Sequence, residues 1–260
     1  MTAPSPPPSD RPALPRPALL RAVVRGALIA LSTLWHATLL AFTPARAHAF
    51  RYRVMGSWGR QLTRLMNIEV TLTGAPAAGG ALLIANHRSY ADIPILMGLK
   101  PCVFLSKAEL RSWPIIGWAA AAARTVFVDR ASPESRQASR EQLRARLAEG
   151  LSVLVFAEGT TVGRGELLPL KPGMFHEAAQ GDLPIQLVSL ELDDPEAVWV
   201  GEEPVVRNFM RVFRGGRVRA RVTYRAALLR GDDGAALCEE ARRWLEGALA
   251  AQVAGGDAAR

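Results

Sequence analysis

From Ile68 onward, short apolar runs alternate with stretches of helical periodicity. The runs IEVTLTG (68–74), ALLIAN (81–86), PCVFLS (101–106), TVFVD (125–129) and LPIQLVSL (183–190) are aliphatic or β-branched. Gly, Pro, Asn or Asp stands at or near their ends, which predicts strands. LSVLVFAEG (151–159) is almost continuously apolar, the pattern of a strand buried on both faces. Between these runs, residues 91–99, 114–123, 133–148 and 172–179 predict helices. The third is the best delimited: Ser132 suits the N-cap, Pro133 the first helical position and Gly150 the stop. Strands alternating with helices at this spacing predict an α/β fold with a mostly parallel central sheet flanked by helices.

Two later segments complete the pattern. MRVFRGGRVRARVTYR (210–225) reads as a hairpin turning at Gly215 and Gly216. Its second limb alternates Arg217, Arg219 and Arg221 with Val218, Ala220 and Val222. One face is therefore cationic, suited equally to a charge-protected sheet edge and to lipid headgroups. Residues 234–253 predict a closing amphipathic helix, with Leu237, Ala241, Trp244 and Leu245 facing inward.

Ahead of this domain, 67–253, the pattern changes. Residues 1–20 are too rich in Pro and Ser to fold. An uncharged stretch comes next, GALIALSTLWHATLLAFTPA (26–45). As a helix it would reach roughly 30 Å, the thickness of a hydrocarbon core. His36 and Pro44 leave open a helix lying in the interface instead of crossing it. Arg21 and Arg25 precede the stretch, and Arg46, Arg51, Arg53, Arg60 and Arg64 lie beyond it. The heavier flank favours a cytoplasmic location for the C-terminal side of the stretch. The same arginines, the apolar run and ARA (45–47) mimic a cleavable signal peptide, but the leader is long and Pro-rich and the run exceeds the usual core. Residues 21–66 are therefore expected to form a membrane-anchoring basic helical region, on an inner membrane with the remaining domain on its cytoplasmic side.

Charge supports this division. The formal net charge is +8. Residues 1–66 hold nine Arg against Asp10 alone, and the rest of the chain is neutral. Such an arm points to an anionic membrane surface more than to nucleic acid. The cysteines, Cys102 and Cys238, make neither a disulfide framework nor a metal cluster and read as reduced, packed thiols.

Three stretches could carry chemistry. In NHRSYAD (86–92), a helix beginning near Ser89 or Tyr90 would put Asp92 in its first turn. The carboxylate could then swing back to His87, fix its tautomer and stabilise the imidazolium. The pair alone is weak, expected about 0.14 times by chance at this composition. Its place on a strand-to-helix loop of an open α/β sheet gives it weight. In FAEGTTVGRGELLPLKPG (156–173), Glu158, Gly159 and Thr160 come directly after the best strand. Arg164 and Lys171 could supply charge to a phosphate. Neither a Walker loop nor a dinucleotide loop is present. In the third stretch, Lys107 and Glu109 end one strand and Asp129 and Arg130 the next, which suggests a polar rim. There is no Gly-x-Ser-x-Gly elbow, and HEAAQ at His176 lacks the second histidine of a zinc site, so no metal or cofactor is expected.

Taken in order, these stretches resemble the glycerolipid acyltransferase family, typified by 1-acyl-glycerol-3-phosphate acyltransferases. NHRSYAD is similar to the family's Asn-His-x4-Asp block and KAELRSWPIIGWAAAAARTVFVDR to its second. FAEGTT resembles the Phe-Pro-Glu-Gly-Thr block, and GDLPIQLVSL the fourth. The resemblance covers roughly residues 68–190. It implies that His87 is the general base on a lysolipid hydroxyl and that Asp92 orients it. The donor would be an acyl thioester, either acyl-CoA or acyl carrier protein, with no acyl-enzyme. It also implies that Glu158, Gly159 and Thr160 bind the acceptor's phosphate, with Lys107 and Arg130 nearby. Ala157 and Leu187 stand where the family commonly has Pro. Thr161 stands where the family often has an arginine, and Arg164 is the candidate to replace it. Lyso-ornithine lipid is the alternative acceptor, and a non-catalytic acyl-lipid-binding module is the alternative from another class.

Overall fold

The computed structural model describes residues 16–201, 203–213 and 216–258. Strands β1 (Ile68–Thr73), β2 (Leu82–Ala85), β3 (Val103–Lys107), β4 (Val126–Val128), β5 (Val153–Phe156), β6 (Ile185–Leu192) and β7 (Val218–Tyr224) form one sheet. Its order is β1-β7-β6-β2-β5-β3-β4. Every neighbouring pair is parallel except β6 with β7. The expected mostly parallel α/β sheet is therefore present.

The period of two along each strand divides the core. In β2, Leu83 and Ala85 point to one face, while Leu82 and Ile84 point to the other. The first face is covered by α2 (His48–Leu65) and α3 (Asp92–Leu99), through Met55, Ile95 and Leu96. The second is covered by α5 (Pro133–Ala148), α6 (Gly173–Gln180) and α8 (Gly234–Asp257), through Leu143, Phe175, Ala241 and Leu245. A sheet covered on both faces needs apolar side chains on both, and β6 is buried along all of IQLVSLEL. The α5 signals operate as expected: Ser132 Oγ accepts from Ser135 N at 3.0 Å, with Pro133 behind it.

The segment expected to be a hairpin, 210–225, is not one. Its first limb lies in α7 (Val205–Phe213). Val205, Phe209 and Val212 recur at the helical period, which a reading of MRVF alone as alternating misses. The expected turn residue Gly215 lies outside the described residues. The second limb does alternate, with Val218, Ala220, Val222 and Tyr224 buried. It is no edge strand, however: β7 sits between β1 and β6. Arg221 is partly buried against Asp193, while Arg217 pairs with Glu69 at the surface.

The N-terminal region also differs from expectation. Helix α1 (Arg16–Phe42) begins inside the stretch expected to be unfolded. It leads into α2, which is part of the domain's core and not only an anchor: its Val54 and Met55 are buried there. Gly59 makes this docking possible. A side chain there would stand 2.7 Å from Pro94 O and 2.8 Å from Gly98 Cα on α3. Arg51, expected as part of the cationic flank, is buried. Its Nη1 donates to Leu40 O at 2.7 Å and Thr43 O at 2.9 Å, and Nη2 donates to Ala122 O. It closes the C-terminal carbonyls of α1 and of α4 (Ile116–Ala122), where a cation opposes the helix dipole.

Helix α1 packs on α2, α4 and α7. Its polar residues turn inward: Ser32 Oγ bonds Gln61 Oε1 at 2.9 Å, and Trp58 Nε1 donates to Thr33 Oγ1 at 3.1 Å. Leu20, Val23, Leu28, Leu31 and Trp35 are exposed. The stretch Leu19–Phe42 is long and apolar enough to cross a membrane by length and composition.

Candidate active site

Parallel pairing from β6 through β2, β5 and β3 to β4 brings the C-terminal ends of these strands to one edge of the sheet. Open α/β sheets bind ligands at such an edge. Beyond β2, Asn86 continues the pairing with its side chain. Its Nδ2 donates to Leu190 O at 2.7 Å and its Oδ1 accepts from Leu190 N at 2.8 Å. This clamps the next loop to β6.

His87 comes next, and Asp92 opens α3. The Asp92 carboxylate is fully buried. Its Oδ2 accepts from Arg88 N at 2.6 Å and Ser89 N at 3.0 Å, and lies 2.7 Å from His87 Nδ1. Backbone N–H groups at a helix N-terminus stabilise a buried anion there. With Nδ1 committed to Asp92, Nε2 is the ring nitrogen available to a substrate. The ring stacks on Phe156 at the end of β5, with centroids 3.9 Å apart and planes 10° apart. Only 18% of the His87 side chain is exposed.

Glu158 braces this arrangement from β5. Its Oε2 accepts from His87 N at 2.7 Å and its Oε1 from Leu168 N at 3.0 Å. Burial pushes its carboxyl above the usual range, against the lowering effect of these N–H groups and of Arg88. Arg88 is itself fully buried. Its Nε lies 3.1 Å from both oxygens of Glu191, and its Nη2 donates to Glu191 Oε2 at 3.1 Å and Glu166 O at 2.7 Å. Glu191 also accepts from Gly165 N at 2.8 Å and Leu192 N at 3.1 Å. This ion pair ties the His87 loop, the end of β6 and the loop after Glu158 together.

Gly159 makes room for cations. Its φ is +80°, and a Cβ there would stand 2.6 Å from Lys171 Nζ and 3.0 Å from Arg130 Nη1. Arg130 Nη1 donates to Gly159 O at 3.1 Å. Burial, then the neighbouring Arg130 and Lys107, push the Lys171 ammonium below its usual value. A concentration of positive charge thus surrounds a glycine one residue from the group that holds His87.

The sequence model described as Acyltransferase matches residues 67–191. A lyso-ornithine lipid O-acyltransferase from Pseudomonas aeruginosa is 33% identical over 172 residues, 64% of this chain and 66% of that protein. The match to a protein of the same description from Brucella abortus is 26% over 196 residues, 68% and 73% of the two chains. A 1-acyl-sn-glycerol-3-phosphate acyltransferase from Neisseria meningitidis is 31% identical over 147 residues, covering 55% and 57%. The chain belongs to the glycerolipid acyltransferase family.

The crystal structure of the 1-acyl-sn-glycerophosphate (LPA) acyltransferase PlsC from Thermotoga maritima superposes with a TM-score of 0.64 at 18% identity. It covers 89% of this chain and 97% of that one, so the two acyltransferase folds agree well beyond the matched domain. The match to the Pseudomonas acyltransferase extends over just under two thirds of its length.

Against the family pattern, the structure brings together His87, Asp92, Glu158 and Gly159, and gathers Lys107, Arg130 and Lys171 beside them. Thr160 is exposed next to Gly159. Two residues depart from expectation. Glu158 faces backbone N–H groups, which suits a brace and not a phosphate ligand. Arg164 is turned to α8, where Nη2 donates to Asp257 Oδ1 at 2.9 Å and Val253 O at 3.3 Å. It does not fill the place of the arginine absent at Thr161. Leu187, another departure, is buried within β6 opposite Ile84. The Arg88–Glu191 pair and the Phe156 stack were missed. Arg88 stood inside the histidine motif, but nothing local to it signalled a partner 103 residues away.

Proposed function

We propose that this family member transfers a fatty acyl group from an acyl thioester to the free hydroxyl of an anionic lysolipid. The observation that carries this reading is the His87–Asp92 couple, 2.7 Å apart at the sheet edge, beside the cations around Gly159. His87 Nε2 takes the proton of the acceptor hydroxyl while Asp92 holds Nδ1–H and stabilises the imidazolium. The hydroxyl oxygen attacks the thioester carbonyl, the C–S bond breaks, and the imidazolium returns the proton to the departing thiolate. The ester and a free thiol are the products. Acyl-CoA or acyl carrier protein is the donor.

The cations favour a phosphate headgroup, and 1-acyl-glycerol-3-phosphate, giving phosphatidic acid, is the acceptor they fit best. Lyso-ornithine lipid is the second reading. It is supported by the relatives of that description and by Thr161 and Arg164, which leave the phosphate site without the usual arginine. The exposed apolar face of α1, with its polar side chains turned inward, supports attachment to a membrane. Because α1 lies against α2, α4 and α7, the reading is a helix seated in the bilayer face and not crossing it, with the site on the cytoplasmic side.

An acceptor panel tests the proposal. Purified full-length protein in vesicles, with one radiolabelled acyl-CoA, is offered lysophosphatidic acid, lyso-ornithine lipid and lysophosphatidylcholine. Labelled phosphatidic acid as the main product supports the first reading, and labelled ornithine lipid the second. Binding of the lipids without labelled product from any of them sinks both in favour of a non-catalytic lipid-binding module.

A further inference from the structure

The connection from β3 to β4 carries apolar side chains that the core does not use. After the short 3-10 helix Ala108–Ser112 come Trp113, Ile115, Ile116 and Trp118, which are 40%, 37%, 45% and 43% exposed. A run of large apolar residues facing outward marks an interaction surface when it is contiguous. The backbone holds this run outward in a costly conformation. Ile115 has φ +63°, a left-handed value that β-branched residues rarely adopt. Glycine would take it without strain. The turn is locked by Gly117, where a side chain would collide with Leu110 O at 2.7 Å and with Arg111 O. Gly117 N donates to Trp113 O at 2.9 Å. Backbone strain of this kind collects at functional sites.

The surroundings identify the occupant. Helix α4, which grows from this segment, packs beside α1, whose outer face carries exposed apolar residues of its own. Cations flank it. Arg111 is exposed with its guanidinium 5.6 Å from the Phe127 ring, and Lys107 and Arg130 stand at the ends of β3 and β4. Glu109 is the acidic residue of the same segment. Tryptophan with aliphatic neighbours and a cationic border fits the interfacial layer of an anionic bilayer. We propose that residues 113–118 are a second lipid contact, inserted beside α1, which opens the active-site edge of the sheet onto the headgroup layer. The proposal rests on the reading above only in that the acceptor is a membrane lipid.

A substrate-free measurement tests it. The full-length protein is labelled with an environment-sensitive dye at Ile116→Cys, or at Gln137→Cys on α5 as control, in a Cys238→Ser background. It is mixed with vesicles of phosphatidylcholine, with or without phosphatidylglycerol. A blue shift and quenching by shallow spin-labelled lipid are expected at position 116 and not at 137, and more strongly on the anionic vesicles. Equal responses at both positions overturn the proposal. It is also overturned if light scattering shows that the patch joins a second copy while the dye ignores lipid.

Turnover gives an independent arm. Trp113→Ser/Ile116→Ser is expected to lower the rate on vesicle-borne acceptor on the order of tenfold. The rate on a dispersed short-chain acceptor should stay within about twofold of wild type. Equal loss on both acceptors places these residues in the acyl site and contradicts the proposal. Ile115→Gly, which removes strain and side chain together, is expected to melt no lower than wild type while weakening the lipid response. Because the dye reports without turnover, this contact and the acyl-transfer reading can fail separately.

Discussion

Gly159 shows how one residue's backbone governs the site. Its positive φ is one that L side chains rarely adopt, and the tips of Lys171 and Arg130 lie where a β-carbon would stand. Gly159→Ala is expected to cost about 1 kcal/mol of stability and to push the cations apart. Its main effect should be a higher KM for the lysolipid, measured in initial-rate assays, with kcat less affected. An unchanged KM would separate the cations from acceptor binding. Glu158 makes a pH-dependent prediction. Its folded carboxyl titrates above the ordinary 4.5 because it is buried. The fold therefore holds this proton more tightly than the unfolded chain does. The stability Glu158 contributes is fully present below the unfolded value and is lost as pH rises through the folded value. Urea titrations of wild type and Glu158→Gln between roughly pH 4 and pH 7 should show the wild-type advantage shrinking as pH rises. An advantage that grows with pH would contradict this assignment.

At the scale of elements, the Arg88–Glu191 pair joins parts that the sequence keeps far apart. Removing one partner leaves a buried charge, so Arg88→Met is expected to lose about 3–5 kcal/mol. Replacing both, as Arg88→Met/Glu191→Leu, should recover part of that loss. Urea unfolding of the singles and the double measures the coupling, and strict additivity would show that the ion pair is not the tie between these loops. The legibility of the fold obeys the same division between local and distant. The strands β2, β5 and β6, the N-cap of α5 and the start of α3 near Asp92 were readable, because each is set by residues within a few positions. The order of the sheet was not, since β7 enters between β1 and β6 by a pairing with β1 that spans most of the chain. Residues 210–213 misled because four residues are too few to separate a period of two from one of 3.6. Within the site, His87 and Asp92 were legible from their spacing on a strand-to-helix loop. The turn of Arg164 toward Asp257 depends on where α8 ends, which no local pattern encodes.

For the whole molecule, the revised boundary matters most. A basic arm and a catalytic domain divided at residue 66 looked separable, yet α2 supplies core residues and Arg51 closes two helices. Deleting residues 1–66 is therefore expected to give misfolded protein, which says nothing about membrane attachment. The informative change is Leu31→Ser/Trp35→Ser on the outer face of α1. It should leave the melting temperature near wild type and reduce vesicle binding in flotation assays on the order of tenfold or more. Full retention on vesicles would assign that face another role.

On the proposed mechanism, His87 moves the proton that lets a lysolipid hydroxyl attack a thioester. Single-turnover acyl transfer by wild type and His87→Ala, on whichever lysolipid the wild-type protein acylates, measures it most directly. The chemical step of the variant is expected to slow by about 10²–10⁴-fold, with vesicle binding unchanged. A variant that transfers the acyl group at the wild-type rate would show that the base lies elsewhere.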